Sequence, residues 1–333
     1  MKRFAGVAIA LGVIGLAFAA LWAIPSDEFL FSPDRAKPLA EKVRVEGAHS
    51  RGAGDVYFVD VFVRRTTLLE RFLPFTRPDG STVVPEHALL PPGTSESQRD
   101  RQNAAEMRRS ALIAPAVALR ALGYDVEAVP QGALVVGVAS DAPAHGKLTA
   151  GDVIVAVDGT PVRTPDELRS EISKRRPGDD VRLTVRRDSK NATLLVGTVP
   201  NPAEPDRPIV GITVDQAAKI ELPIDVDIDI GRVGGPSAGL PFALEIARML
   251  GRDVTHGCDV AATGELALDG SVIPVGGLKQ KTIGARRAGV DLFLVPAGEN
   301  AQEARKHADG LRIIPVKSFQ QALRKLATTN LKC

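Results

Sequence analysis

Aromatic residues make up only 4% of the chain, so its cores must be built mainly from Ala, Val, Leu and Ile. Only two cysteines occur, Cys258 and Cys333, which leaves no Cys-x-x-Cys pair for a zinc or redox motif. In an oxidising compartment the two could join and close a long loop, and the sequence leaves both the paired and the free state open. The five histidines are scattered and no His-Glu-x-x-His is present, so no metal site is expected. Neither sign of charge dominates. With 42 basic and 40 acidic residues, a net +2, and no basic patch interleaved with aromatics, nucleic acid is not an expected partner. No Gly-x-x-x-x-Gly-Lys-[Ser/Thr] occurs either, so the phosphate cradle of an ATPase is missing and neither ATP nor another cofactor is expected.

There is one long hydrophobic run, at the front. After Lys2 and Arg3, residues 4–24 carry no charge, which is enough chain to cross a bilayer as a helix of about 20 residues. Positive charge ahead of it keeps that end cytoplasmic, so residues 1–25 are expected to be a transmembrane anchor with everything beyond Pro25 outside. Trp22 suits the membrane interface, and the membrane is then a partner. The alternative is a cleaved signal peptide, for which Ala17-Phe18-Ala19 offers a small-residue cleavage site.

Chemistry concentrates in the last third of the chain. Ile224-Asp225-Val226-Asp227-Ile228-Asp229-Ile230 alternates apolar and acidic residues, the period of a half-buried strand. Gly234-Gly235-Pro236-Ser237-Ala238-Gly239-Leu240 follows, and Leu240, Ala243, Leu244, Ala247 and Leu250 then fall on one helical face, with Gly251 at the C-cap position. Ser237 therefore opens a helix. Unpaired N–H groups and the positive end of the helix dipole converge there, so a developing oxyanion could be held beside Gly235 and Ala238. A serine hydroxyl needs a base, and Gly276-Gly277-Leu278-Lys279-Gln280-Lys281 offers lysine. Leu278, Ala285 and Ala288 share the helix face of Lys281, which predicts that Lys281 points inward; Lys279 lies about 200° around the helix and is read as solvated. A buried lysine loses pKa and becomes a usable base.

Ser237, Thr263-Gly264-Glu265 and Gly276-Gly277-Leu278-Lys279-Gln280-Lys281 resemble, in order and nearly in spacing, the proteolytic domain of Lon-type serine peptidases. That resemblance implies Ser237 as nucleophile, Lys281 as general base and Thr263 as a hydrogen-bonding neighbour of the dyad, with a homo-oligomeric ring. The chain departs from the pattern at Gly235, where Lon proteins usually carry Asp, and its serine-to-threonine interval is one residue longer. Gly235-Pro236-Ser237-Ala238-Gly239 also satisfies the nucleophile elbow of α/β-hydrolases, with Asp291 and His307 in the required order. Too little chain follows Ser237 for the rest of that fold, and His307 sits in a polar run.

Between these ends, Val56-Tyr57-Phe58-Val59-Asp60-Val61-Phe62-Val63 reads as a β-rich run and Pro91-Pro92-Gly93-Thr94 as a loop before a helix bearing Pro115. Residues 123–199 read as a small β-rich module. Its strands lie around Val135, Ile154 and Leu183, and Thr164-Pro165-Asp166-Glu167 caps a helix running to about Arg176. Asp141-Ala142-Pro143-Ala144, Leu148-Thr149-Ala150-Gly151-Asp152-Val153-Ile154 and Val157-Asp158-Gly159 resemble a bacterial PDZ domain. The resemblance implies capture of C-terminal tails of protein or peptide substrates in a groove between Gly123, Tyr124 and Val126 on one side and Leu168 and Ile172 on the other. Pro200, Pro202, Pro205 and Pro208 mark a linker over 200–208.

The expected architecture is α+β: an anchor at 1–25, an extracytoplasmic stalk and α/β segment at 26–122, the PDZ-like module at 123–199, the linker, and a Lon-type serine protease domain at 209–333. Anchor, PDZ-like module and Lon-like domain in this order resemble the membrane-anchored PDZ–Lon peptidases of bacteria. The expected function is ATP-independent endoproteolysis in the cell envelope. A non-enzymatic envelope scaffold that binds tails is the alternative from another class.

Overall fold

The computed structural model describes residues 2–48, 52–90, 95–187, 190–231, 233–328 and 333, so the loop expected at Pro91-Pro92-Gly93-Thr94 lies outside the described residues. Two compact units emerge: one joins residues 1–99, 106–123 and 224–333, the other 100–105 and 124–223.

The first unit is built on a five-stranded sheet in the order Lys37–Pro38, Val56–Phe58, Val260–Ala262, Leu292–Pro296, Arg312–Val316. The last four run parallel and only Lys37–Pro38 is antiparallel. Every residue of Val260–Ala262 and Leu292–Pro296 is buried, as expected of parallel strands covered on both faces. The helices Gly239–Met249, Leu278–Ala288, Glu299–Lys306 and Phe319–Thr328 accompany this sheet. Phe319–Thr328 begins where Ser318 Oγ accepts the Gln321 N–H, the cap expected from the sequence. A separate antiparallel sheet orders Val61–Thr67, Pro25–Pro33 and Thr82–Pro85.

Most of the described residues of 26–122 thus belong to the unit of Ser237 and Lys281 rather than to a separate stalk or segment, and 100–105 fall in the second unit. Leu30, Leu39, Val56 and Phe58 are buried, and the segments that carry them complete the same unit as Ser237 and Lys281. The alternating acidic segment pairs only at Val226–Ile228, with Val43–Val45 as its antiparallel partner. Residues Lys2–Ala23 form a helix. Among the described residues no helix is long and apolar enough to cross a membrane, so the expected transmembrane helix finds no support in the structure.

The second unit is a sheet in the order Lys190–Gly197, Asp180–Arg187, Val153–Val157, Glu127–Val138, Ile212–Glu221, packed with the helix Pro165–Ile172. Its core is almost wholly aliphatic, with Val135, Ile154, Leu168, Leu183 and Val185 at the centre. The Thr164 hydroxyl caps the helix by accepting the Glu167 N–H at 3.1 Å. The expected linker over 200–208 is instead largely a hairpin, Val199–Asn201 against Glu204–Ile209, because its prolines sit where edge strands tolerate them. Ile212–Glu221, expected beyond the boundary at 209, belongs to this unit's sheet.

Candidate active site

Ser237 sits in a single tight turn, Pro236–Ala238, entered through Gly235 at φ +87°, a conformation that favours glycine. The helix Gly239–Met249 follows at once and has no side-chain cap on its first turn. A carbonyl oxygen brought beside Ser237 would therefore approach the electropositive end of that helix. Gly239 is required by packing: a Cβ there would stand 2.9 Å from the backbone nitrogen of Leu266. That close approach lets the Thr263-Gly264 main chain dock on the nucleophile turn. The Gly264 N–H donates to the Ser237 carbonyl at 2.9 Å, and the Leu240 N–H donates to the Gly264 carbonyl at 3.0 Å.

Lys281 lies in the first turn of Leu278–Ala288, which starts after Gly277 in a left-handed conformation. It is 5% exposed, with Leu278 and Ala285 also buried, as the helix face predicts. Its Nζ donates to Thr263 Oγ1 at 3.2 Å, and Thr263 Oγ1 donates to the Ser237 carbonyl at 3.4 Å. Thr263 is fully buried and therefore joins base to nucleophile turn. Ser237 Oγ itself makes no hydrogen bond to Lys281 Nζ, so contact between the two passes through Thr263. Burial pulls the Lys281 pKa from 10.5 down to about 7, against a smaller opposing influence from the Asp60 carboxylate. A neutral amine is thereby populated near neutral pH.

Lys279 is on the other face, as expected, but is half-buried rather than freely solvated: its Nζ donates to the Ser81 carbonyl and to Thr82 Oγ1, both at 3.2 Å. The elbow alternative does not assemble. His307 Nε2 bonds to Glu303 Oε1 at 3.2 Å, and the Asp291 carboxylate accepts the Asp259 N–H at 2.8 Å.

Two residues outside the sequence motifs reach this region, one bonding the turn of Ser237 and one the segment after Gly264. Ser110, 3% exposed on the helix Glu96–Ala121, donates through Oγ to the Pro236 carbonyl at 2.9 Å, and Arg109 pairs with Glu265 at 3.6 Å. Neither carries a local signal, since each partner lies far away in sequence.

Residues 120–198 match a PDZ domain model and residues 210–329 match the Lon protease (S16) C-terminal proteolytic domain. This is a PDZ–Lon-type chain. Its similarity to curated proteins falls on Lon proteases: 42% identity over 88 residues with Lon protease of Desulforamulus reducens, 40% over 111 residues with that of Chloroflexus aggregans, and 39% over 106 residues with Lon protease 2 of Bacillus subtilis. These matches cover 26%, 31% and 30% of this chain but only 11%, 13% and 19% of the relatives, so the chain spans a small part of their length.

In the PDZ domain the expected groove residues part company. Leu168 and Ile172 are buried in the core, Val126 is 6% exposed, and only Tyr124, at 39%, presents an open surface; Gly123 serves a turn at φ +89°. Glu127–Val138 is hydrogen-bonded along its length to Ile212–Glu221, which itself stands at the edge of the sheet.

Proposed function

We propose that the PDZ–Lon-type chain is an ATP-independent serine endopeptidase using Ser237 and Lys281, with substrates recruited as tails by the PDZ domain. The observation that carries this reading is Lys281, an inward lysine bonded to Thr263 and held near pKa 7 by burial. In this mechanism neutral Lys281 takes the Ser237 proton as Oγ attacks the scissile carbonyl carbon, and the ammonium returns that proton to the leaving amine as the C–N bond breaks. The resulting ester is hydrolysed by water, which Lys281 deprotonates in turn. First-turn N–H groups around Ala238 stabilise the oxyanion of both steps.

Tail capture by strand addition would use Ile212–Glu221, the edge strand of the sheet that lies beside Glu127–Val138. A homo-oligomeric ring is proposed from the Lon resemblance. Location outside the cytoplasm is supported by the disulfide between Cys258 and Cys333, which fits an oxidising compartment, and by the positively charged start ahead of an apolar run.

The test is cleavage of an unfolded protein and a short peptide by the full chain and by Ser237→Ala, with and without ATP. Cleavage that Ser237→Ala abolishes and nucleotide leaves unchanged is expected. Absence of cleavage by the native chain, or clear stimulation by ATP hydrolysis, overturns the reading.

A further inference from the structure

Asp60 lies in the short connection between Val56–Phe58 and Val61–Thr67. Phe58 pairs in parallel register with Ala262, the residue before Thr263. On its other side, Val61 packs on the start of the lysine helix: a Cβ on Gly277 would stand 2.8 Å from Val61 Cγ2, and the Gly277 carbonyl accepts the Lys281 N–H at 2.9 Å. Asp60 is thus bracketed in the chain by residues that touch the strand leading to Thr263 and the turn that carries Lys281.

Its carboxylate is unusual. Oδ1 is buried and has no hydrogen-bond partner, while Oδ2 pairs with Lys37 Nζ at 3.2 Å. Lys37 also pairs with Asp34 at 2.7 Å, and the segment bearing both leans on the lysine helix, with Ala36 N–H donating to the Gly284 carbonyl at 3.3 Å. A buried carboxylate oxygen left without a donor is costly, and Lys281, on which Asp60 acts electrostatically, offers the carboxylate a second cation beside Lys37 only when it is protonated. Asp60 is also the single charge acting on Lys281 against burial.

We infer that Asp60 is a positioning residue of the dyad: anchored by Lys37, its carboxylate stabilises through space the Lys281 ammonium formed when Ser237 gives up its proton. The inference rests on the proposed peptidase reading and adds a third group to it. The charged groups that set the proton affinity of Lys281 are then Asp60, and behind it Lys37 and Asp34; Thr263, its direct partner, is neutral.

The experiment is kcat/KM against pH on a short peptide for the full native chain, Asp60→Asn and Asp60→Glu, with thermal unfolding of each. Removing the carboxylate charge disfavours the ammonium, so Asp60→Asn should move the acid limb down by about one pH unit and lower the plateau about tenfold. Asp60→Glu should return the limb towards its native position. A limb that stays in place or moves up, whatever the plateau does, overturns the inference and leaves Asp60 with a packing role. Should Asp60→Asn lack the native unfolding transition, Asp60→Ser replaces it under the same two outcomes. A native chain without Ser237-dependent cleavage would instead sink the peptidase reading itself.

Discussion

Burial lowers the proton affinity of Lys281 at a cost in stability, and the proposed base chemistry requires that cost. Its folded pKa, about 7, lies below the ordinary 10.5, so across the interval between them the unfolded chain binds a proton that the native state does not. Stability should therefore rise with pH from about 7 to about 10.5, at up to roughly 1.4 kcal/mol per pH unit from this group. Replacing it with an apolar residue removes the penalty: Lys281→Met should unfold at a higher temperature than the native chain at pH 7 while losing all cleavage, a pairing that thermal scans and a peptide assay check together. Activity should follow the same titration, rising through a midpoint near pH 7. Lys281→Arg should be inactive at every pH in this range, because a guanidinium does not deprotonate. Lys279→Arg, bonded to Ser81 and Thr82 and not to Thr263, should keep most activity. Thr263→Val severs the bridge from Lys281 to the Ser237 carbonyl; a fall in kcat of about 5- to 150-fold is expected, the value of one buried hydrogen-bonded group, with KM little changed.

At the scale of elements, the nucleophile turn depends on how closely two backbones approach. Gly239→Ala places a methyl against the Leu266 nitrogen, and an overpacking cost of about 1–3 kcal/mol should appear as a lower Tm together with a disproportionate loss of kcat, because the displaced strand Glu265–Leu266 follows directly on Thr263-Gly264. These contacts mark the limit of what the residues reveal alone. The helix after Ser237, its glycine stop at Gly251, the inward face of Lys281 and the cap at Ser318 were legible because each is decided within a turn or two of chain. Asp60, Ser110 and Lys37 were not. Val56–Val63 reads as a strand run whichever residue interrupts it, and Ser110 lies 126 positions from the carbonyl it bonds. The PDZ groove shows a related limit: helical spacing shows that Leu168 and Ile172 share a face but not whether that face meets a ligand or a core, and in the structure both side chains are buried. The prolines of 200–208 punctuate a hairpin edge as readily as a linker.

At the scale of the molecule, the disulfide ties Cys333 to Cys258, two residues before the strand Val260–Ala262. Its sequence separation of 75 makes it a long loop, so reduction or Cys333→Ser should lower stability by about 2–4 kcal/mol, read as a fall in Tm that the oxidised native chain does not share. The two units also differ in how their sequence is arranged. The PDZ unit draws almost all of its residues from one continuous stretch, 124–223, whereas the catalytic unit takes strands from both sides of it and pairs Val56 with Val260. Synthesis imposes an order on that arrangement. At about 5–20 residues per second, the PDZ unit has its whole sequence about 2–12 seconds before Thr263 and Lys281 have been made, and the early strands must wait for partners some two hundred residues downstream. In the proposed reading, a nascent chain therefore completes the unit that would hold a polypeptide before it contains the base that would cut one.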